Sequence, residues 1–353
     1  FGGMDLRLTG FVAVLATGMW YACSNDLKIN APFAETTFVY GLLDIGDSVH
    51  YLRIQRSFLN EDSTPYELIG DVYNYRYEED ELEVWVEAWK NDVQVATYPF
   101  EYILGDTVGL ALEDGLFEPE ANVLYRFTGQ LDSTAEYRLF IHRWLQHDTI
   151  TAVTKPVSSF QVLFPVAFLY GINLTDTFDV IYVNTYATNA QIYDLVMRFR
   201  YREINLTTGD TSELFADWPL ATNQTGDNLN GLGVMAYEVK ANLFYAFVAA
   251  ELEVDPAVRR EFVDLQYRFY AGGEELYWQY LNELATLGFQ ELYATTMYTN
   301  VRGGYGIFSS RRLQVSDSIQ LSDQSLDTLA CGYRTFGLGF PSSTANPFYP
   351  GCE

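Results

Sequence analysis

Alternation of apolar and polar residues dominates the first half of the chain from residue 35 onward. Seven short segments alternate with a period close to two, the pattern of half-buried β-strands, at 37–43, 48–56, 82–89, 93–98, 123–127, 137–144 and 149–154. Asn91-Asp92 supplies turn residues between the third and fourth segments, which predicts a hairpin. This number and spacing of strands predict a β-sandwich of immunoglobulin or fibronectin type over residues 35–160.

The remaining residues, 161–353, are predicted to form a second β-rich domain. Its strand candidates are 178–186, 195–202, 237–249 and 262–270. The last two are expected to pair as neighbours connected through 253–256. A helix is the alternative assignment for 237–249. The clearest helix is 274–286, because five apolar or aromatic residues share one face and two glutamates begin it. The expected fold class is therefore mainly β, with one prominent helix.

An apolar run from Leu8 to Ala22 stands directly before Cys23. It is shorter than the roughly 20 residues that span a bilayer and fits the hydrophobic region of a secretory signal. A small residue followed by cysteine resembles a bacterial lipobox, in which cleavage leaves an acylated N-terminal cysteine. We predict a signal peptide over 1–22, a lipid on Cys23 and a tether over 23–34. A plain cleaved signal and a buried N-terminal segment are the alternatives.

Composition and charge narrow the classes of partner. Hydrophobic residues make up 48% of the chain, enough for a full core, and the formal net charge is −26. Such a charge repels phosphate backbones and excludes nucleic acid as a partner. The chain has three cysteines, so lipidation of Cys23 leaves Cys331 and Cys352 as an even pair. We predict that these two form a disulfide, with two free buried thiols as the alternative.

Candidate chemistry in the sequence is sparse. Gly46-Asp-Ser48 is similar to the nucleophile block of one lipase family, but that chemistry needs a late histidine and none follows His147. The three histidines lack metal-site spacing, and the acidic segments 77–83 and 227–231 lack calcium-loop geometry. His50 and His142 are expected to be structural. We therefore expect a hairpin turn at Ser48, no catalysis, no cofactor and no bound metal.

Residues 299–308 contain three glycines in four positions. Glycine permits positive φ and close approach of backbones, and the absence of a Gly-Lys-Ser/Thr ending excludes a phosphate loop. The segment is predicted to be a tight crossing between a strand and its neighbour.

The same segment carries a family resemblance. A group of Bacteroidota outer-membrane lipoproteins with a domain of unknown function has an Asn-x-x-Gly-Gly-x-Gly-x-Phe run. This chain matches it with Asn300, Gly303, Gly304, Gly306 and Phe308. The strand at 263–266, the Tyr-rich helix at 277–280 and the early strands at 137–139 and 152–154 are also similar, so the resemblance covers most of 35–312. It implies a lipid-anchored surface protein, often encoded beside a TonB-dependent transporter, and no known chemistry.

The expected function is that of a non-catalytic, surface-exposed outer-membrane lipoprotein. It is expected to be accessory to a TonB-dependent transporter or another outer-membrane complex, in a substrate-capture or lid role. A free-standing adhesin or a glycan- or peptide-binding module is the alternative, and a hydrolase comes third. Asn300, Arg302 and Tyr305 are candidate contact residues, since they combine hydrogen-bond donors, a cation and a flat aromatic ring. A buried strand crossing with a solvated Arg302 is the competing interpretation.

Asp followed by Ser or Thr occurs nine times, more often than chance pairing would give. Bacteroidota O-glycosylate exported proteins at such pairs when a small or aliphatic residue follows. The candidate sites are Ser48, Thr107, Thr149, Ser318 and Thr328. An equally good interpretation is that these pairs favour turns and strand ends.

Overall fold

The computed structural model describes residues 35–58, 71–110, 122–164, 171–175, 180–226, 234–288 and 297–342. Over these ranges the chain is mainly β, as predicted, with 15 strands and three α-helices. The predicted signal peptide, tether and lipid site at Cys23 lie outside the described residues.

The strands of the first half follow the predicted alternation to within one residue at each end. They are β1 Thr37–Leu43, β2 Val49–Arg56, β3 Leu82–Lys90, β4 Val93–Pro99, β5 Glu101–Leu104, β6 Val123–Thr128, β7 Glu136–Arg143 and β8 Asp148–Thr154. Only β5 was not predicted. Asn91 and Asp92 have φ of 48° and 61° and join β3 to β4 in the predicted hairpin.

Two facing sheets enclose the first hydrophobic core. One has the strand order β4-β3-β7-β8, and β1-β2-β6-β5 belongs to the other. Val39 and Leu52 from one sheet and Val86 and Leu139 from the other are almost fully buried in the same cluster. Each such side chain contributes about 1.5–3 kcal/mol when it leaves water, so the alternating pattern specifies which face points inward.

The described residues of the second half form seven strands and three α-helices. The strands are β9 Ser158–Phe164, β10 Val180–Thr188, β11 Ile192–Asn205, β12 Thr211–Thr225, β13 Met235–Lys240, β14 Val258–Gly272 and β15 Tyr305–Val315. The helices are α1 Ala241–Glu251, α2 Glu274–Gly288 and α3 Asp323–Cys331. The predicted helix at 274–286 is confirmed as α2, and three of the four predicted strands correspond to β10, β11 and β14.

The prediction of a strand over 237–249 is wrong beyond Lys240, because α1 begins at the next residue. Ala241, Phe244, Tyr245 and Val248 are buried, and their spacing is that of a helix face. The expected pairing across 253–256 is also wrong: β13 pairs with β10, whereas β14 pairs with β11 and β15.

One sheet runs through both halves of the chain. Its order is β12-β11-β14-β15-β1-β2-β6-β5, in which β15 pairs antiparallel with β14 and parallel with β1. Phe308 of β15 is buried in the first core, while Phe199, Phe244 and Tyr267 lie in a second core with the β13-β10-β9 sheet. The division near residue 160 stays a prediction, and β15 joins the two sides of it.

Candidate binding surface

The glycine-rich segment leads into β15 where that strand meets β1. Gly303 and Gly306 have φ of 84° and 113°. A Cβ on Gly306 would lie 2.0 Å from the carbonyl oxygen of Val39, which faces it across the parallel pair. The predicted tight crossing is therefore confirmed, and its cause is the close approach of two backbones.

Asn300 fastens this segment to two strands. Its Nδ2 donates to the carbonyl oxygens of Val153, at 3.1 Å, and Phe308, at 2.7 Å, and its Oδ1 accepts from the Phe308 N–H at 3.0 Å. The amide thus ties β8 to β15. Its predicted contact with a partner stays a prediction, and the structure gives its side chain an internal role.

Arg302 and Tyr305 project from this fastened backbone. The Arg302 N–H donates to Thr151 O at 2.7 Å, and Arg302 O accepts from Thr151 N at 3.1 Å. The Arg302 side chain is exposed, and no carboxylate of the described residues is within ion-pair distance of it. Tyr305 is 44% exposed, with its ring 6.1 Å from that of Phe38. The main chain is fixed while a cation and an aromatic ring face solvent.

Helix α2 lies beside this segment and is held by a half-buried carboxyl. Glu275 Oε2 accepts from Ser309 Oγ at 2.6 Å and from Thr154 Oγ1 at 3.0 Å. Burial raises the pKa of the Glu275 carboxyl above its usual value, and the two hydrogen bonds oppose this only in part. The start of α2 is therefore tied to both β15 and β8.

A groove of about 280 Å³ runs between α2 and strands β11, β14 and β15. Tyr270 and Tyr280 supply aromatic rings, and Arg311 is exposed with no carboxylate partner in the described ranges. At its edge Asn223, with φ of 54°, donates its N–H to Asp194 Oδ1 at 2.6 Å. The groove thus presents a second cation and further aromatic rings, at a later part of β15 than Tyr305.

The groove residues do not stand out in the sequence. Its one available signal was in β14, where Tyr270 occupies the same alternating set as Asp264, Gln266 and Arg268. Such a ring is expected to lie at an exposed position, but single exposed aromatic residues are common on protein surfaces and do not by themselves mark a binding site. Nothing in the sequence around Arg311 indicates that it lines the groove, because the α2 residues on the other side of the groove are distant from it in the chain.

The candidate catalytic and metal residues occupy structural positions. Ser48 lies in the β1–β2 turn, as predicted, where Gly46 N donates to Asp44 Oδ1 at 2.8 Å. His50 is buried, stacks on Phe127 at 4.6 Å and donates through Nε2 to Gly129 O at 3.2 Å; burial lowers its pKa. Among the described residues no group of three His, Cys, Asp or Glu is placed to hold a metal.

The candidate glycosylation sites differ in how free their hydroxyl groups are. Ser48 is exposed, and no hydrogen bond of its hydroxyl to a described residue is found. Thr107 donates to Leu104 O at 2.7 Å, and Thr149 Oγ1 lies 3.1 Å from His142 Nδ1. Ser318 donates to Asp264, and the half-buried Thr328 donates to Gln324 O within α3. Modification of any of the five stays a prediction, and Ser48 differs from the other four in that its hydroxyl has no hydrogen bond to a described residue.

Cys331 ends helix α3 and is disulfide-bonded. Cys23 and Cys352 both lie outside the described residues, so the pairing with Cys352 stays a prediction. In the part of the chain that the structure describes, no helix has the length and apolar character needed to cross a membrane.

Comparisons with known proteins give no family. No family model matches the chain, and no curated protein matches it. Among solved structures, one similar chain is the C-terminal globular domain of an oligosaccharyltransferase from Pyrococcus abyssi, at 11% identity and a TM-score of 0.23. The alignment covers 67% of this chain and 48% of that one. The chain therefore spans about half of that structure, and a likeness this distant carries no argument about function.

Proposed function

We propose that this protein is a non-catalytic binding protein, held at the outer membrane by a lipid on Cys23. It acts by contact as an accessory of a TonB-dependent transporter or another outer-membrane complex. The observation that supports this is the exposure of Arg302 and Tyr305 on a backbone held by Asn300, by the Thr151 bridge and by pairing with β1.

A fixed backbone favours binding because the segment loses little further conformational entropy when the partner binds. Association is weakened by the ordering of loops and side chains, and a preorganised surface reduces that cost. Arginine and tyrosine are enriched among residues that dominate binding energies. Although the chain has a net charge of −26, Arg302 has no carboxylate partner among the described residues, so its guanidinium group is available to pair with an acidic group on another molecule.

The double variant Arg302→Ala, Tyr305→Ala is expected to weaken partner capture about tenfold or more, since two central contacts are lost. The melting temperature should hardly change, because neither side chain is buried. Capture is measured by affinity pull-down of the tagged protein from native membranes, with quantification of the co-purified transporter.

The control is the double variant Tyr333→Ala, Arg334→Ala. This pair also combines an exposed tyrosine with an arginine over its ring, at 4.9 Å, and lies outside the proposed contact. It should capture the partner normally. If the two double variants behave alike, or if the first one unfolds, the glycine-rich segment is scaffold and the contact surface lies elsewhere.

Removal of the predicted anchor is expected to change location without changing the fold. Acyl chains contribute about 0.8 kcal/mol for each buried CH₂, so two or three chains hold a protein on a membrane. Cys23→Ala should move the protein from the membrane fraction to the soluble fraction, as measured by fractionation and immunoblotting. Retention of the variant in a membrane fraction washed with high salt would contradict the lipid attachment.

A further inference from the structure

A cleft of about 430 Å³ opens where the first half of the chain meets the second. One wall is the β3–β4 hairpin with Trp89, and the other is formed by the beginning of β9 and the end of β10. Lys155 lies on the short segment between β8 and β9 and also lines the cleft. Cavities between two packed units are common places for ligands.

Hydroxyl and amide groups make up much of the lining. They belong to Asn91, Ser133, Thr134, Ser158, Ser159, Thr188 and Asn189. A hydroxyl group both donates and accepts, and an amide offers two donors and an acceptor. Such a lining suits a ligand with many hydroxyl groups, which needs donors and acceptors close together.

The charge of the cleft is nearly balanced, unlike that of the strongly acidic chain. Three cations line it, against the two carboxylates of Asp92 and Glu136. Arg138 pairs with Glu136 at 2.8 Å and stacks over the Trp89 ring at 4.3 Å. Lys90 pairs with Asp132 at the rim.

Lys155 is the cation available to a ligand. Its side chain is exposed, and within the described ranges no carboxylate is in ion-pair distance of its ammonium group. In a chain of net charge −26, an ammonium group placed in a cavity without a carboxylate partner selects for an anionic group.

The backbone at the cleft is held in an uncommon conformation. Six non-glycine residues of the described ranges have positive φ, and four of them line the cleft. Asn91 and Asp92 are explained by the hairpin, and Asn189, at 62°, lies in a tight turn that follows β10. Ser159, at 47°, lies within a register shift between β9 and β10. Asn189 Nδ2 also donates to Pro156 O at 3.0 Å, next to Lys155. Conformations of this kind concentrate at binding sites.

We propose that this cleft binds an acidic saccharide of about disaccharide size. The Lys155 ammonium group pairs with the sugar carboxylate, and the hydroxyl and amide lining bonds to the sugar hydroxyls. The part of the Trp89 ring that Arg138 does not cover offers apolar surface to the C–H face of a sugar ring. The proposal goes beyond partner capture, and it uses neither Arg302 nor Tyr305.

Isothermal titration calorimetry on the purified full chain in detergent tests this, with α-1,4-digalacturonate and the matched neutral α-1,4-digalactose as probes. The acidic sugar is expected to bind about tenfold more tightly than the neutral one, with an affinity that falls as ionic strength rises. Lys155→Gln should reduce the affinity for digalacturonate to that for digalactose.

Lys240→Gln is the matched control, because Lys240 is also an exposed lysine but lies far from the cleft. In the β10–β13 register Lys240 is opposite Val180, at the other end of β10 from the cleft. It should leave both affinities unchanged. Equal binding of the two sugars, no binding of digalacturonate, or the same loss in both lysine variants would overturn the proposal. None of these results bears on capture through Arg302 and Tyr305, so the two proposals fail separately.

Discussion

Replacing Gly306 by alanine is expected to lower the free energy of unfolding by more than about 3 kcal/mol. The added Cβ would stand 2.0 Å from Val39 O, and φ of 113° is a conformation that L-residues rarely adopt. Neither problem is relieved by a side-chain rotation, since the obstructing atom is backbone. The β1 and β15 backbones must separate, which weakens the pairing that joins the two halves. Urea denaturation followed by circular dichroism measures the loss.

Gly209→Ala separates the two causes. Gly209 has φ of 77°, and its Cβ would meet no atom within 4 Å. Its replacement carries only the cost of a left-handed residue, about 1–2 kcal/mol. If Gly306→Ala is no more destabilising than Gly209→Ala, the close approach of β1 and β15 is not what selects glycine at this position.

The strands of the first sandwich were predictable because each of them is half-buried. Alternation of residues such as Leu82, Val84 and Val86 with polar neighbours directly reports which face meets the core. Helix α1 has no such contrast. Its exposed Leu243 and half-buried Phe247 are as apolar as its buried residues, so the sequence is compatible with both a strand period and a helical period.

Strand β12 shows the opposite difficulty. It lies at the end of the eight-stranded sheet, most of its residues are exposed or half-exposed, and it contains Pro219. Proline is tolerated on an edge strand, whose free N–H groups need no partner. A strand with little burial has little periodicity, so the sequence carries no pattern that predicts this strand.

Pairings between distant parts of the chain account for the rest. The parallel contact of β1 with β15 joins residues near opposite ends of the described chain, and alternation along either strand is compatible with many neighbours. The candidate surfaces depend on such pairings. Glycine spacing indicated the crossing at Gly306, whereas the groove at Arg311 and the cleft at Lys155 arise only when separate segments meet.

Two arginine–aspartate pairs, whose arginines are two positions apart on strand β11, should differ in their effect on stability. Arg200 donates to both carboxylate oxygens of Asp264, and Arg198 likewise to Asp217. The Asp264 side chain is 3% exposed and that of Asp217 is 37% exposed. The geometry is the same, so burial of the carboxylate is the main variable.

Asp264→Ala is therefore expected to lower the free energy of unfolding by about 2 kcal/mol, and Asp217→Ala by less than about 1 kcal/mol. Removal of the buried carboxylate leaves Ser318 and Arg200 without their acceptor, whereas water replaces the exposed one. Urea denaturation of the two variants at neutral pH measures the difference, and equal losses would show that the buried pair is not the stronger contributor.

The effect of Asp264 should also depend on pH with a defined sign. Burial by itself would raise the pKa of Asp264, but hydrogen bonds from Arg200 and Ser318 outweigh it and hold the pKa below its ordinary value. The stabilisation is then fully present above the unfolded-state pKa, about 3.9, and is lost as the pH falls through the lower pKa of the folded state. The gap between wild type and Asp264→Ala should accordingly narrow below about pH 4. A gap that stays constant down to acid unfolding would mean that the carboxylate charge contributes nothing.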